Sequence, residues 1–380
     1  MPDYLDIINL RRTLHRYPEL ANQEFETSRR ISEFVQKLNP DREISISKTG
    51  KAFVFEGSEE GETIVFRAEL DALPIQEKSN LGYRSSIDGV AHLCGHDGHM
   101  AILAGLGQRI AENRPKRGKV VLLFQPAEET DLGAKDVVES PEFHALQADY
   151  IFALHNIPGV EKNKVLLKTG SFSAASAGMT IKLEGVTSHA AEPEKGVSPA
   201  MAVSGIMSAF NELIADSSQF SDTTFTTLIY IRLGEISFGV SPDYAEMGFT
   251  LRAFENKDMD LLMQKAERIV ELIARQKGLH FEINYSEIYP PTMNEANCVE
   301  MIKQAAEKSG ITIENIDKPF RWSEDFAYFT ATNRGAQFGF GAGENQPPLH
   351  NPEYDFPDDI IKPAVDVFYG IYEEKLLKSS

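Results

Sequence analysis

The chain has 380 residues, 42% of them hydrophobic, and a formal net charge of −19 at pH 7. That length exceeds the size at which one hydrophobic core stops growing, so two domains are expected, and the acidic balance argues against a nucleic-acid partner. No apolar run approaches the ~20 residues needed to cross a bilayer. The N-terminus carries Asp3 and Asp6 with no basic start or small-residue cleavage site, and Cys94 and Cys298 are the only cysteines. Both features lead to an expectation of cytoplasmic residence with free thiols.

Along the chain, the periodicity first predicts an amphipathic helix over residues 27–38, with Ile31, Phe34, Val35 and Leu38 on one face. Three runs, at 63–66, 120–124 and 150–154, are apolar on both faces. Such runs suit central strands of a mostly parallel sheet with helices on each side. Open α/β sheets bind ligands at the carboxyl ends of these strands, and polar residues follow all three here. After the first comes Arg67-Ala68-Glu69-Leu70-Asp71, with Asp71 placed to orient a ligand from behind. Next, Cys94-Gly95-His96-Asp97-Gly98-His99 stands ahead of an apolar helix over 100–110. Glu128-Glu129 follow the second strand and His155 the third.

Taken singly, each cluster has a bland reading. Asp97 reads equally as a helix cap, Glu128-Glu129 as a solvated acidic loop, and His155 as a strand-end histidine with a satisfied hydrogen bond. Their combination fits bland readings poorly. Thiolate and imidazole are the usual ligands of zinc and related borderline metals. Of two adjacent carboxylates, one can ligate while the other takes a proton from an activated water. A two-metal hydrolase is therefore the leading expectation.

From 176 to 286 the strands change character. Met179, Ile181 and Leu183 alternate with polar neighbours, as do Met247, Phe249 and Leu251, and Leu279, Phe281 and Ile283. These are strands with one buried face. A further strand over 225–233 and two amphipathic helices complete the order β-α-β-β-α-β, a ferredoxin-like unit inserted into the larger domain. The predicted division is 1–175 with 287–380, and 176–286. Within the insertion, His189 either stabilises a substrate oxyanion or is a loop histidine. Arg252 either grips a carboxylate or pairs with an acidic neighbour. An edge strand of this unit pairing with a second copy would make a homodimer. A helix over 295–309, a strand over 336–340 and a final helix over 360–377 follow. Between the last two, His350 is a candidate late ligand.

Several segments now carry a resemblance. They are Leu14-His15-Arg16-Tyr17-Pro18-Glu19-Leu20, Arg67 to Pro74, Cys94 to His99, Phe124 to Glu129, Ser188-His189-Ala190-Ala191 and Leu349-His350-Asn351-Pro352. Together they resemble the two-metal peptidase family of aminoacylases and acetylornithine deacetylases. The likeness is to its amidohydrolase branch of hippurate hydrolases, N-acetyl-diaminopimelate deacetylases and auxin-conjugate hydrolases. It covers nearly the whole chain.

The resemblance implies a binuclear centre with Cys94 as the shared ligand and His96, Glu129, His155 and His350 as the others. Zinc or manganese comes first among the metals, with cobalt or nickel next. It further implies Glu128 as general base and proton shuttle, Asp71 as the acid behind the ligands, and His189 on a lid and dimerisation domain. In dimeric relatives that histidine reaches the partner's active site. The implied reaction is hydrolysis of small N-acyl amino acids. Three departures bear on the substrate: Glu69 where Asp is usual, Glu194 in place of a second lid histidine, and Gly239 in place of an asparagine. Glu194 would favour a cationic or amino-bearing substrate. Two other functions compete: a metal-independent cysteine hydrolase using Cys94, and a non-catalytic metal or amino-acid binding protein.

Overall fold

The computed structural model of the chain describes residues 4–130 and 133–377. In chain order the elements begin with α1 (Tyr4–Arg16), α2 (Phe25–Gln36), β1 (Arg42–Ile46), β2 (Gly50–Glu56), β3 (Glu59–Glu69), α3 (His96–Glu112), β4 (Arg117–Gln125), α4 (Gly133–Glu139), α5 (Pro141–Leu146) and β5 (Tyr150–Pro158). They continue with β6 (Val165–Leu167), β7 (Gly170–Ser173), β8 (Ala175–Glu184), β9 (Ser188–His189), α6 (Ala200–Ala215), β10 (Thr224–Leu233), β11 (Val240–Ser241), β12 (Tyr244–Ala253), α7 (Asn256–Gln276) and β13 (His280–Tyr289). The last are β14 (Thr292–Asn294), α8 (Ala296–Lys308), β15 (Ile313–Asn315), α9 (Ala327–Thr332), β16 (Arg334–Gly343) and α10 (Ile361–Tyr372), which runs into a π-helical turn, Glu373–Leu377.

Two compact units result. Unit 1 is Met1–Phe172, Thr292–Lys318 and Glu324–Ser380; unit 2 is Ser173–Pro291 with Pro319–Ser323. The last segment lies far along the chain from the predicted insertion. Backbone bonds carry it: Ala174 N–H donates to the carbonyls of Phe320 (3.0 Å) and Trp322 (3.1 Å).

The sheet of unit 1 has the order β1-β2-β4-β3-β5-β16-β6-β15. Its centre, β4-β3-β5-β16, is parallel as expected. Both margins are mixed: β1 and β2 form an antiparallel hairpin, β2 runs antiparallel to β4, and β6 antiparallel to β16. The doubly apolar strands are explained by what covers them. Phe53, Phe66, Phe124, Phe152 and Phe338 pack under α1, α3, α8 and α10, and Phe66 and Phe368 lie 5.0 Å apart between ring centroids. On the other face Val54, Val65, Val121 and Ile151 meet Val137, Phe143, Leu146 and Phe329.

Unit 2 follows β8-α6-β10-β12-α7-β13, and its sheet has the antiparallel order β10-β12-β8-β13. Met179, Ile181, Leu183, Met247, Phe249 and Leu251 face the apolar stripes of α6 (Val203, Ile206, Phe210) and α7 (Leu262, Ala266, Val270). Among the described residues no helix is long and apolar enough to cross a membrane.

Candidate metal centre

Adjacent parallel strands deliver the chemistry of unit 1. The order β4-β3-β5 sets the residues after three neighbouring strand ends side by side: Glu128-Glu129 beyond β4, Asp71 beyond β3, and His155 near the end of β5. The Cys94–His99 segment reaches the same place through a tight turn. Gly95 takes φ +99, and a Cβ there would lie 2.5 Å from the Asn156 side-chain oxygen. Gly98 is equally constrained, because its Cβ would meet the Phe356 ring at 2.4 Å. Ala127 and His350 adopt φ of 56° and 66° without being glycine. Ala127 immediately precedes Glu128, so at both positions the backbone at or beside a candidate donor takes a conformation that L-residues seldom adopt.

The structure brings five of the predicted residues together as donors. Cys94 Sγ lies 3.6 Å from His155 Nε2. Ligand atoms of Cys94, His96 and His155 all fall within 4.8 Å of one another, and so do those of Cys94, Glu129 and His350. Cys94 is therefore common to two triplets. His96 Nε2 is 4.0 Å from Glu129 Oε1 and 3.7 Å from Glu128 Oε2, and His350 Nε2 is 3.8 Å from Glu129 Oε1. His96 Nε2 and Glu129 Oε1 are both buried without a hydrogen-bond partner. Two ligand atoms stripped of water, one in each triplet, are what bound cations would satisfy.

The electrostatics agree. Burial holds the Glu128 carboxyl well above the ordinary range, with Glu129 and Asp325 adding to the effect, and burial raises Glu129 as well. It pushes the Cys94 thiol up and lowers His155 to about 3. Neutral imidazoles offer lone pairs, and a divalent cation restores the ionised thiol and carboxylates. His96 goes the other way: burial opposes its charge, but Cys94 and Asp71 outweigh burial. Burial and Glu129 raise the Cys94 thiol although His96 opposes them, and a thiol held up in this way is the reverse of an activated cysteine nucleophile, which counts against a Cys94 hydrolase.

Asp71 stands behind His96, and its main-chain carbonyl is the atom in contact: it accepts from His96 Nδ1 at 2.8 Å, while the carboxylate is 3.6 Å away. That carboxylate instead accepts the amides of Glu128 (3.1 Å) and Glu129 (2.9 Å), fixing the acidic turn. Asp97 is not a cap. The cap position is Gly95, with no side-chain cap bond, and Asp97 pairs with Arg11 and His15. His99 is held between Glu69 (Nδ1 to Oε2, 2.7 Å) and Asn156 (Nε2 to Oδ1, 2.6 Å). Glu69 shares the buried Arg67 guanidinium with Glu324 (2.6 Å) and Asp325 (2.6 Å). Arg67 and Glu69 stand out in the sequence, but their partners do not: the local signal for those is the adjacent pair Glu324-Asp325 ahead of an aromatic run.

His189 and Arg252 belong to unit 2. His189 is exposed, and its Nδ1 accepts the Ala191 amide at 3.0 Å. Arg252 pairs with no carboxylate among the described residues; its Nη1 donates to the Arg321 carbonyl (2.8 Å) and Ser323 Oγ (2.9 Å).

A mixed α/β sheet with thiol, imidazole and carboxylate donors converging at its strand ends defines a metal-dependent hydrolase. The chain belongs to Peptidase family M20/M25/M40, which it matches over residues 65–374. An N-acetyl-L-cysteine deacetylase of Bacillus subtilis is 32% identical over 98% of this chain and 89% of its own length. The hippurate hydrolase of Campylobacter jejuni is 30% identical over 100% of this chain and 99% of its own. Among solved structures, the Bacillus subtilis YxeP protein, a dinuclear metal binding peptidase of the M20 family, superposes with a TM-score of 0.84 at 28% identity, covering 97% of each chain. The protein is an amidohydrolase.

Proposed function

We propose that the protein hydrolyses the amide bond of small N-acyl amino acids using two divalent ions, zinc or manganese before cobalt or nickel. The observation that carries this reading is the pair of orphaned buried atoms, His96 Nε2 and Glu129 Oε1, within two donor triplets that share Cys94. Cys94, His96 and His155 would hold one ion, and Cys94, Glu129 and His350 the other. When bound, such ions supply Lewis acidity that lowers the pKa of water and polarises a carbonyl.

The chain's own residues do the rest. Glu128 is 9% exposed, so its carboxyl meets little competing water. It takes the proton of the attacking water and returns it to the leaving nitrogen; one carboxylate serves both steps because it stores the proton between them. Asp71 keeps Glu128 and Glu129 aimed through their amides. His189 is assigned to the developing oxyanion by family resemblance. Arg252, half-buried with no acidic partner among the described residues, suits a substrate carboxylate. A homodimer formed through unit 2 is part of the same reading, supported by the exposed apolar residues of edge strand β10, among them Ile229 at 60%.

The test is a screen of N-acyl amino acids with and without a chelator, alongside Glu128→Gln. Turnover should need metal, and the variant should lose about 10²–10⁴-fold in kcat while keeping its metal. Full turnover by Glu128→Gln would sink the mechanism.

A further inference from the structure

Arg11 lies in α1, more than eighty residues from Cys94 and far more from His350, and nothing in its local sequence marks it as functional. It is fully buried, as is its partner Asp97. Its three guanidinium nitrogens reach three carboxylates from two distant segments. Nε donates to Asp97 Oδ2 at 2.8 Å, Nη1 to Asp358 Oδ1 at 3.2 Å, and Nη2 to Asp355. Asp97 sits between His96 and Gly98 in the first turn of α3. Asp355 and Asp358 follow His350 on the loop that enters α10.

Other contacts join the same two segments. His350 N–H donates to the Leu93 carbonyl at 2.8 Å, one residue before Cys94. The Phe356 ring lies on Gly98, where no side chain fits. Asn156, beside His155, donates to Tyr354 OH. His15, one helical turn beyond Arg11, completes the charge pairing through Asp97 (2.9 Å) and Glu77 (3.3 Å). Of all these contacts, Arg11 alone grips both segments through charge.

We infer that Arg11 is a positioning residue that clamps the His350 loop to the Cys94–His99 turn and so sets the second donor triplet, Cys94-Glu129-His350. The inference rests on the two-ion reading above. The first triplet draws its ligands from β5 and the α3 turn, which packing already joins. The second needs His350 from a loop with an exposed side chain (51%), and that loop is what Arg11 restrains. A lysine cannot replace the guanidinium, because a point charge does not span three carboxylates in a fixed fork.

The test titrates Co²⁺ into chelator-stripped full-length protein and follows absorbance, with Arg11→Lys, His350→Ala and the double variant. Wild type should take up about two equivalents. Arg11→Lys should weaken one equivalent about 10–100-fold and leave the other within about twofold, as expected when support behind a ligand is lost. His350→Ala should lose that same equivalent, and the double variant should be no worse than His350→Ala alone. Unchanged binding in Arg11→Lys, equal weakening of both equivalents, or an additive double variant overturns the clamp while the two-ion reading stands. Two unchanged equivalents in His350→Ala remove the ligand set itself, and the clamp with it. Asp355→Asn decides the matter should Arg11→Lys not fold. Its carboxylate is 24% exposed, so the change strands little, and it should weaken the same equivalent alone.

Discussion

The two units bury their sheets differently. In unit 1, β3, β4, β5 and β16 are covered on both faces, and charged side chains are enclosed with them: Arg11 and Arg67 are fully buried, each among carboxylates. In unit 2, α6 and α7 cover one face only, and edge strand β10 leaves Ile229 60% and Leu228 38% exposed. Beyond it Ile236 and Phe238 are 98% and 97% exposed. Among the described residues, the chemistry is enclosed in the unit with buried charge, and unpartnered apolar surface is concentrated in the other. Substitutions should therefore act on stability in unit 1 and on association in unit 2.

The largest stability effect should come from Arg67→Met. It strands Glu69, Glu324 and Asp325, with Asp325 already raised to about 7 by burial. A loss of about 3–5 kcal/mol in urea unfolding is expected, since breaking a buried pair leaves uncompensated charge. A loss below about 1 kcal/mol would mean the cluster is solvated.

His15 gives the next effect, and it depends on pH. Burial opposes its charge, but hydrogen bonds to Asp97 and Glu77 outweigh burial and raise the imidazole to about 9. A raised folded pKa contributes stability that is complete below the unfolded value of about 6.5 and is lost as pH climbs through about 9. Wild type should lose on the order of 3 kcal/mol across that window relative to His15→Gln. Parallel pH profiles for the two proteins would show that His15 stays neutral.

Gly98→Ala is smaller. The new methyl would meet the Phe356 ring at 2.4 Å. Overpacking of about 1–3 kcal/mol, partly offset by the better helix former, leaves a net loss of about 1–2 kcal/mol in thermal unfolding. An increase in Tm would show that Phe356 moves freely aside.

Ile229→Lys should change unfolding by less than about 0.5 kcal/mol at low protein concentration, because the side chain is exposed. Its readout is mass: light scattering should show wild type as a dimer and the variant shifted to monomer. A monomeric wild type would remove the dimer from the proposed function.

The strands and the candidate donors were legible because they are local. A doubly apolar run followed by Glu128-Glu129 or His155 announces both a central strand and what stands at its end. The alternation of unit 2 was equally plain, down to the order of its strands and helices. The supporting pairs left no such trace. Arg67 meets Glu324 across 257 positions and Arg11 meets Asp358 across 347, so no window along the chain contains both partners. Asp71 shows a subtler limit. Its position was readable, but whether its carbonyl or its carboxylate would face His96 was not.

By itself, then, the sequence determined which residues can ligate or carry protons, and which stretches must be buried on one face or two, because side-chain chemistry and hydrophobic period are properties of short segments. The tertiary structure decided that Cys94 belongs to two donor triplets, that Pro319–Ser323 joins unit 2, and that buried arginines carry the charge behind the site. Those outcomes depend on which distant segments meet, and that is set only when the whole chain packs.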